Sequence, residues 1–247
     1  MTNKITIDSR NIGINFPPYI IAEMSANHNG KIENAFKIID QAKNAGADAV
    51  KIQTYTADTM TLDSDNEDFM INDPKSLWNG WNLYKLYQWA HTPWEWHKDL
   101  FDYAKKKKIT IFSSPFDETA VDLLEDLNTP AYKIASFEAT DLALIKYVAS
   151  TKKPMIISTG LANEDEINEA IETAYENGCS ELAMLHCVSS YPAPSYDYNL
   201  KTIQDMANKF NITTGLSDHT LGNTTAISAV ALGASIIEKH FTLDRQG

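Results

Sequence analysis

The chain has 247 residues, 43% of them hydrophobic and 22% charged, the balance of a soluble globular protein with room for one large domain. A net charge of −12 works against binding along a nucleic-acid backbone or to an anionic membrane, so neither is expected as a partner. Cys179 and Cys187 make neither a disulfide framework nor a zinc-type pair, no apolar run approaches the ~20 residues that span a bilayer, and the N-terminus lacks the apolar core of a signal peptide; together these point to the cytoplasm.

Residues 4–14 alternate, with Ile5 and Ile7, then Ile12 and Ile14, around Asp8-Ser9-Arg10-Asn11. The pattern predicts a small β-hairpin, a plug beneath the domain. Eight short apolar runs follow: Tyr19–Glu23, Ala49–Gln53, Thr110–Ser113, Ala131–Ser136, Pro154–Ser158, Leu182–His186, Thr213–Leu216 and Ser235–His240. Helical stretches separate most of them, as in Ile32–Ala45, Glu95–Lys107, Asp117–Leu127, Glu164–Glu176 and Thr224–Leu232. Buried strands alternating with helices predict a parallel sheet. Eight of them, with no Gly-x-Gly-x-x-Gly after the first, predict an α/β protein of (β/α)8 TIM-barrel type rather than a doubly wound sheet.

Within this pattern, residues 55–91 form a long insertion carrying Trp78, Trp81, Tyr84, Tyr87 and Trp89. Loops of that length are usually functional, though its aromatics read as self-packing or interface rather than as a sugar platform. Thr92-Pro93-Trp94-Glu95 and Asn163-Glu164-Asp165-Glu166 read as helix caps, which assigns Thr92 and Glu95 to structure. The sequence stops seven residues after His240, so the eighth outer helix is expected to be missing and the chain to be part of a longer protein.

In a barrel of this type the C-terminal strand ends and their loops form the active-site face. Polar residues gather there: Glu23, Asn27 and His28 after the first strand, Lys51 and Gln53 on the second, and Ser114 on the third. The fourth contributes Lys133, Ser136 and Glu138, the fifth Ser158, and the sixth His186, Ser189 and Tyr191. The seventh ends Ser217-Asp218-His219 and the eighth Glu238-Lys239-His240. Any one of these reads equally as a cap or a wet strand end; their convergence is the signal. Lys51 and Lys133 sit inside apolar runs, where an unpaired charge is costly, which favours a ligand role. With Ser114, Ser136, Ser158 and Ser217 they offer the several donors that a phosphate and a carboxylate need. His219 and His240, at the ends of adjacent strands, suit a divalent metal. Glu23 and Glu138 are carboxylates placed for acid–base work. His186 reads as a satisfied core histidine, His28 as part of a polar turn, and Tyr191 as either a sugar-site wall or packing.

The stretches IIAEMSANHNG, DAVKIQTY, IFSSPFDETAVD, PAYKIASFE, KPMIISTG, MLHCVSSYPAP, GLSDHT and IIEKHF, in this order, resemble the phosphoenolpyruvate (PEP)-dependent sialic acid synthase family over almost the whole chain. KIQTYTADT, LYKLYQWAHTPWEWH and KIASFEATD look closest to its pseudaminic acid branch, with Phe137 where the sialic acid branch is expected to have glycine. The resemblance implies a C–C bond-forming transferase that condenses PEP with 2,4-diacetamido-2,4,6-trideoxy-L-altrose, with C–O cleavage of PEP and release of phosphate. It implies a divalent metal, Mn2+ with Mg2+ or Co2+ as substitutes. It further implies that residues 1–247 are the barrel domain, that an antifreeze-like domain lies beyond this chain, and that the full-length protein is a homodimer in which that domain reaches the partner's site. Residue by residue, it implies PEP contacts for Lys51, Ser114, Lys133, Ser136, Ser158 and Ser217, metal binding for His219 and His240, and acid–base roles for Glu23 and Glu138. Gln53 and Tyr191 would approach the sugar. Ser189 stands where the sialic acid branch is expected to have asparagine, which fits a different acceptor. The alternatives are an N-acetylneuraminic or legionaminic acid synthase of the same family and, from another class, a non-catalytic sugar-phosphate-binding barrel. The intact histidine and glutamate set argues against the last.

Overall fold

The computed structural model describes residues 4–74, 76 and 78–245. The chain begins with β1 (Ile5–Ile7) and β2 (Arg10–Ile12), paired antiparallel with Ile5 opposite Ile12. Asp8 and Ser9 take φ of 48° and 68°, the doubly left-handed turn whose twist matches a tight hairpin. Ile5, Ile7 and Ile12 are buried against Tyr19, Ile21 and Phe112, so the hairpin does plug the barrel. Ile14 stays outside this plug and is largely exposed.

The barrel itself starts with β3 (Tyr19–Glu23), α1 (Ile32–Asn44) and β4 (Ala49–Thr54). The insertion follows, folded as α2 (Ala57–Met60), a 3-10 turn (Glu67–Phe69) and α3 (Leu83–Ala90). Residues 75 and 77 of it lie outside the described residues. Next come α4 (His97–Lys107), β5 (Thr110–Pro115), α5 (Glu118–Asp126), β6 (Tyr132–Ile134) and α6 (Leu142–Ser150). The chain continues through β7 (Met155–Ser158), α7 (Glu164–Glu176), β8 (Leu182–Cys187), α8 (Lys201–Phe210), β9 (Thr213–Asp218), α9 (Thr224–Ala231) and β10 (Ile236–His240). Strands β3 to β10 close a parallel barrel in chain order, β10 pairing with β3. Among the described residues no helix follows β10.

Period-two alternation sorts each strand. Outward residues such as Val50, Ile52, Ile134, Ile157 and Met184 pack on the apolar stripes of the helices, including Ile38 and Ile39 of α1 and Leu100 of α4. Inward residues near the strand starts are apolar: Ile21, Ala49, Phe112, Ala131, Ile156 and Ile236 cluster on the hairpin plug. One inward step further along the same strands stand Glu23, Lys51, Ser114, Lys133, Ser158 and Glu238, all buried. At Gly215 on β9 an added Cβ would lie 2.4 Å from the Ile236 carbonyl oxygen and 2.7 Å from Leu185 Cδ2, so only glycine lets the barrel close there.

The helix start at Thr92 differs from expectation. A 3-10 turn (Trp94–Trp96) intervenes, α4 begins at His97, and neither start carries a side-chain cap hydrogen bond. The fully buried His97 anchors the segment instead. Its Nδ1 lies 3.1 Å from the Pro93 carbonyl and its Nε2 2.8 Å from Thr54 Oγ1, which in turn meets Ser113 Oγ at 2.6 Å. At α7 the cap forms as read: Asn163 Oδ1 accepts from Glu166 N at 3.1 Å, and the Glu166 carboxylate accepts from Asn163 N at 2.7 Å.

Candidate functional site

A cavity of about 840 Å3 opens at the C-terminal mouth of the barrel. Ten of the thirteen expected residues line it. The floor holds Glu23, Lys51, Lys133, Ser158 and Ser217; Gln53, Ser136, Tyr191, His219 and His240 stand around it. The other three sit just behind. Ser114 is fully buried and accepts from Lys51 Nζ at 3.3 Å, and Ser189 shares a 3.0 Å hydrogen bond with Ser136 Oγ. Glu138, on the turn after β6, does not line the cavity, though its charge interacts with Lys133 and with Tyr87 on the cavity wall.

Parallel register brings the buried charges together. Glu23 on β3 is opposite Lys51 on β4, and Glu238 on β10 is opposite Ser217 on β9. Lys51 Nζ lies 2.6 Å from Glu23 and 3.9 Å from Glu238; Ser217 donates to Glu238 at 3.1 Å. Lys133 Nζ donates to Ser158 Oγ at 2.7 Å and to the Ile134 carbonyl at 2.9 Å. Two acids and two lysines, each under 10% exposed, thus share one buried chamber. Burial works against the Lys51 ammonium, but Glu23 and Glu238 outweigh it and hold the group above the ordinary lysine range. Lys133, with no carboxylate at contact distance, is pushed below that range by burial. Burial lifts Glu23 above the usual carboxylate range, with Glu238 adding to the lift. Glu238 goes the other way, because Lys133 and Lys51 outweigh its burial. Burial raises Glu138 as well, and one of its oxygens is buried without a hydrogen-bond partner. The chamber therefore holds one carboxylate shifted up and one shifted down, with the upshifted Glu138 just behind it.

His219 and His240 face one another across the rim with ring centres 5.7 Å apart, and Tyr191 stacks 4.2 Å from His219. The His219 loop is tied down on several sides. Its Nδ1 meets the Val188 carbonyl at 2.7 Å, its backbone N donates to Tyr198 Oη at 2.6 Å, and its carbonyl accepts from Ala193 N at 3.0 Å. Asp218 beside it is clamped by Lys239 at 2.7 Å and Thr220. With Nδ1 engaged, the Nε2 lone pair of His219 is left toward the cavity, at a loose 3.4 Å from Ser217 Oγ. Partial burial lowers the His219 imidazole, and at the more exposed His240 the nearby Lys51 charge works in the same direction. Neutral imidazoles are the form that binds a metal. Two such donors fit a divalent cation whose other positions go to substrate oxygens or water. No group of three or more His, Cys, Asp and Glu able to hold a metal occurs among the described residues.

His186 meets the Tyr198 carbonyl, as expected of a satisfied core residue, and His28 accepts from Gly30 N at 3.1 Å within its turn and packs on Trp96. Cys179 and Cys187 are free thiols.

Two groups escaped the sequence reading. Glu238 was noted only as a strand-end residue, yet it completes the buried charge cluster. Its signal was its place two residues before His240, on the same inward face. Trp78, Tyr87 and Trp89 of the insertion line the same cavity, which corrects the expectation that these aromatics only self-pack or form an interface. Part of that expectation holds, since Trp81 packs edge-on to Trp89 and Tyr55 to Tyr87.

Comparison with known proteins agrees with this layout. A family model described as the NeuB family matches residues 38–247. A pseudaminic acid synthase from Campylobacter jejuni is 50% identical over 227 residues, covering 92% of this chain and 66% of that protein. One from Helicobacter pylori is 48% identical, covering 93% of this chain and 67% of that protein. The chain thus spans about two thirds of the length of the curated relatives it matches. The crystal structure of an N-acetylneuraminic acid (sialic acid) synthetase from Leptospira borgpetersenii, in complex with citrate, superposes with a TM-score of 0.88 at 33% identity, covering all of this chain and 80% of that one.

Proposed function

We propose, for a chain that belongs to the NeuB family, that the barrel condenses PEP with 2,4-diacetamido-2,4,6-trideoxy-L-altrose to give pseudaminic acid and phosphate. One observation carries the reading: a buried lysine pair with hydroxyl donors, two imidazoles and the carboxylates of Glu23 and Glu238 line a single cavity.

PEP is a small, dense anion, and Lys51, Lys133, Ser136, Ser158 and Ser217 are the donors that hold its phosphate and carboxylate in a chamber where charge–charge contacts are strong. Ser114 steadies Lys51 from behind, and Ser189 steadies Ser136. Gln53 and Tyr191 stand on the sugar side. His219 and His240 would hold a divalent cation, Mn2+ in this reading with Mg2+ or Co2+ as substitutes, which supplies Lewis-acid polarisation of the sugar aldehyde. PEP carbon 3 then bonds to the aldehyde carbon, water adds at carbon 2, and phosphate leaves with its bridging oxygen. Orientation does much of the work, because both reactants are held with their reacting carbons facing. Glu23, which lines the cavity, and Glu138, just behind it, are the two candidates for protonating the new alkoxide and for taking the proton of the adding water. The same reading takes the full-length protein to be a cytoplasmic homodimer. Among the described residues no helix is long and apolar enough to cross a membrane.

The test is phosphate release by the full-length protein with a panel of acceptors: the diacetamido altrose, the legionaminic acid precursor and N-acetylmannosamine. The altrose should give the highest kcat/KM, and chelation of metal or His240→Ala should abolish turnover. A preference for N-acetylmannosamine, or an undiminished rate after chelation, refutes the reading.

A further inference from the structure

The cavity has two unlike sides. Its floor is charged and hydroxylated, as PEP requires, whereas Trp78, Tyr87 and Trp89 make one wall aromatic. All three come from the insertion, and that segment is built rather than loose. Asn82 caps α3 by accepting from Tyr84 N at 2.8 Å, and its amide reaches back to Asp65 at 3.1 Å. Tyr84 Oη donates to Asp58 at 2.9 Å, and Ile71 exchanges backbone hydrogen bonds with Trp81 and Gly80 at 2.9 and 2.7 Å. Two of the three rings are braced by a second: Trp81 stands edge-on to Trp89 at 6.3 Å, and Tyr55, buried directly after β4, stands edge-on to Tyr87 at 5.9 Å. Trp78 and Trp89 nevertheless remain 39% and 46% exposed, and both line the cavity. The faces of such rings take C–H and methyl groups and leave a hydroxyl set against them without a partner.

We propose that Trp78, Tyr87 and Trp89 form the acceptor-selecting subsite: they take the apolar edge of the sugar, its acetamido methyls and its deoxy C6 methyl, and set the preference over a hydroxylated hexosamine. The inference rests on the activity proposed above and deepens it. The floor is indifferent to this choice, because it meets PEP and the reacting carbonyl carbon. N-Acetylmannosamine carries hydroxyls at C4 and C6 where the diacetamido altrose has an acetamido group and a methyl, so against this wall it exchanges apolar contacts for unpaired donors.

Calorimetric binding of each sugar to the full-length, PEP-loaded protein with divalent metal chelated, so that the proposed condensation does not proceed, tests this without depending on turnover. Trp89→Ala should weaken the diacetamido altrose about tenfold, one well-packed aromatic contact, and weaken N-acetylmannosamine far less, so that the ratio of the two affinities shrinks. Trp89→Phe should restore most of the loss, and Trp78→Ala should act in the same direction. PEP affinity and thermal midpoint, measured alongside, show that each variant is folded. Equal losses for both sugars, unchanged affinity for both, or altered oligomeric state with unchanged sugar binding each overturn the proposal; the last would make the aromatics an interface. Failure of the wild type to release phosphate with the altrose would instead sink the proposed activity, while the sugar-binding comparison would still decide the role of the wall.

Discussion

The two ends of the barrel interior use the same eight strands and the same period-two geometry, yet opposite chemistry. At the lower end Ile21, Phe112, Ile156 and Ile236 meet the hairpin's Ile5, Ile7 and Ile12 and exclude charge. One inward step higher, Glu23, Ser114, Ser158 and Glu238 replace them on β3, β5, β7 and β10, and Lys51 and Lys133 join from β4 and β6. The lower layer gains stability from apolar area removed from water. The upper layer costs desolvation and holds together only as a matched set, since breaking a buried charge pair leaves its partner uncompensated. Stability and function are therefore segregated along each strand rather than between domains.

Removing one charge from the upper layer should have the largest effect. Lys51→Met leaves Glu23 and Glu238 without their ammonium, and should cost about 4 kcal/mol in urea unfolding. It should also weaken PEP about a hundredfold by calorimetry, the loss of a charge-assisted contact. Unchanged PEP affinity would contradict the division of labour. The converse is Phe112→Ala in the lower layer. It should cost about 4 kcal/mol through the cavity it leaves, with PEP affinity in the folded fraction unaltered. A parallel loss of PEP binding would mean that the two layers are coupled.

A third case sharpens the contrast, because it is a titratable group the fold keeps neutral. Burial pushes His97 down to about 4, against the pull of the Pro93 carbonyl. Its folded pKa lies below its unfolded value of 6.5, so the unfolded chain takes the proton more readily. The contribution is present above pH 6.5 and is lost as the pH falls through about 4. It reaches about 3 kcal/mol. Urea midpoints of His97→Gln should fall less steeply than wild type between pH 7.5 and 4.5; parallel slopes would contradict this. The smallest effect lies outside both layers. Asn163→Ala removes the cap of α7 and should cost about 1 kcal/mol, with PEP affinity unaffected.

Much of this was legible before the structure. Eight apolar runs of strand length separated by helical periodicity predict a parallel sheet, their number and the missing Gly-x-Gly-x-x-Gly favour a barrel, and all eight became strands of one. Lys51 and Lys133 stood out because a charge inside an apolar run needs a partner. That logic could not say that the partner of Lys51 is Glu23 rather than a ligand alone, because pairing is a matter of register between strands. The cap read at Thr92 followed a local pattern, and a buried contact between His97 and Thr54, 43 residues apart, overrode it.

What the amino-acid order determined by itself is whatever repeats locally: strand and helix alternation, the inward face of each strand, and the polar character of the strand ends. The tertiary structure alone decided which groups share the chamber: that Glu238 completes the charge set, that Glu138 stands behind the wall, and that three insertion aromatics turn toward the cavity. The physical reason is range. Periodicity acts over a few residues, whereas desolvation, charge pairing and ring packing depend on distances that exist only once the barrel has closed.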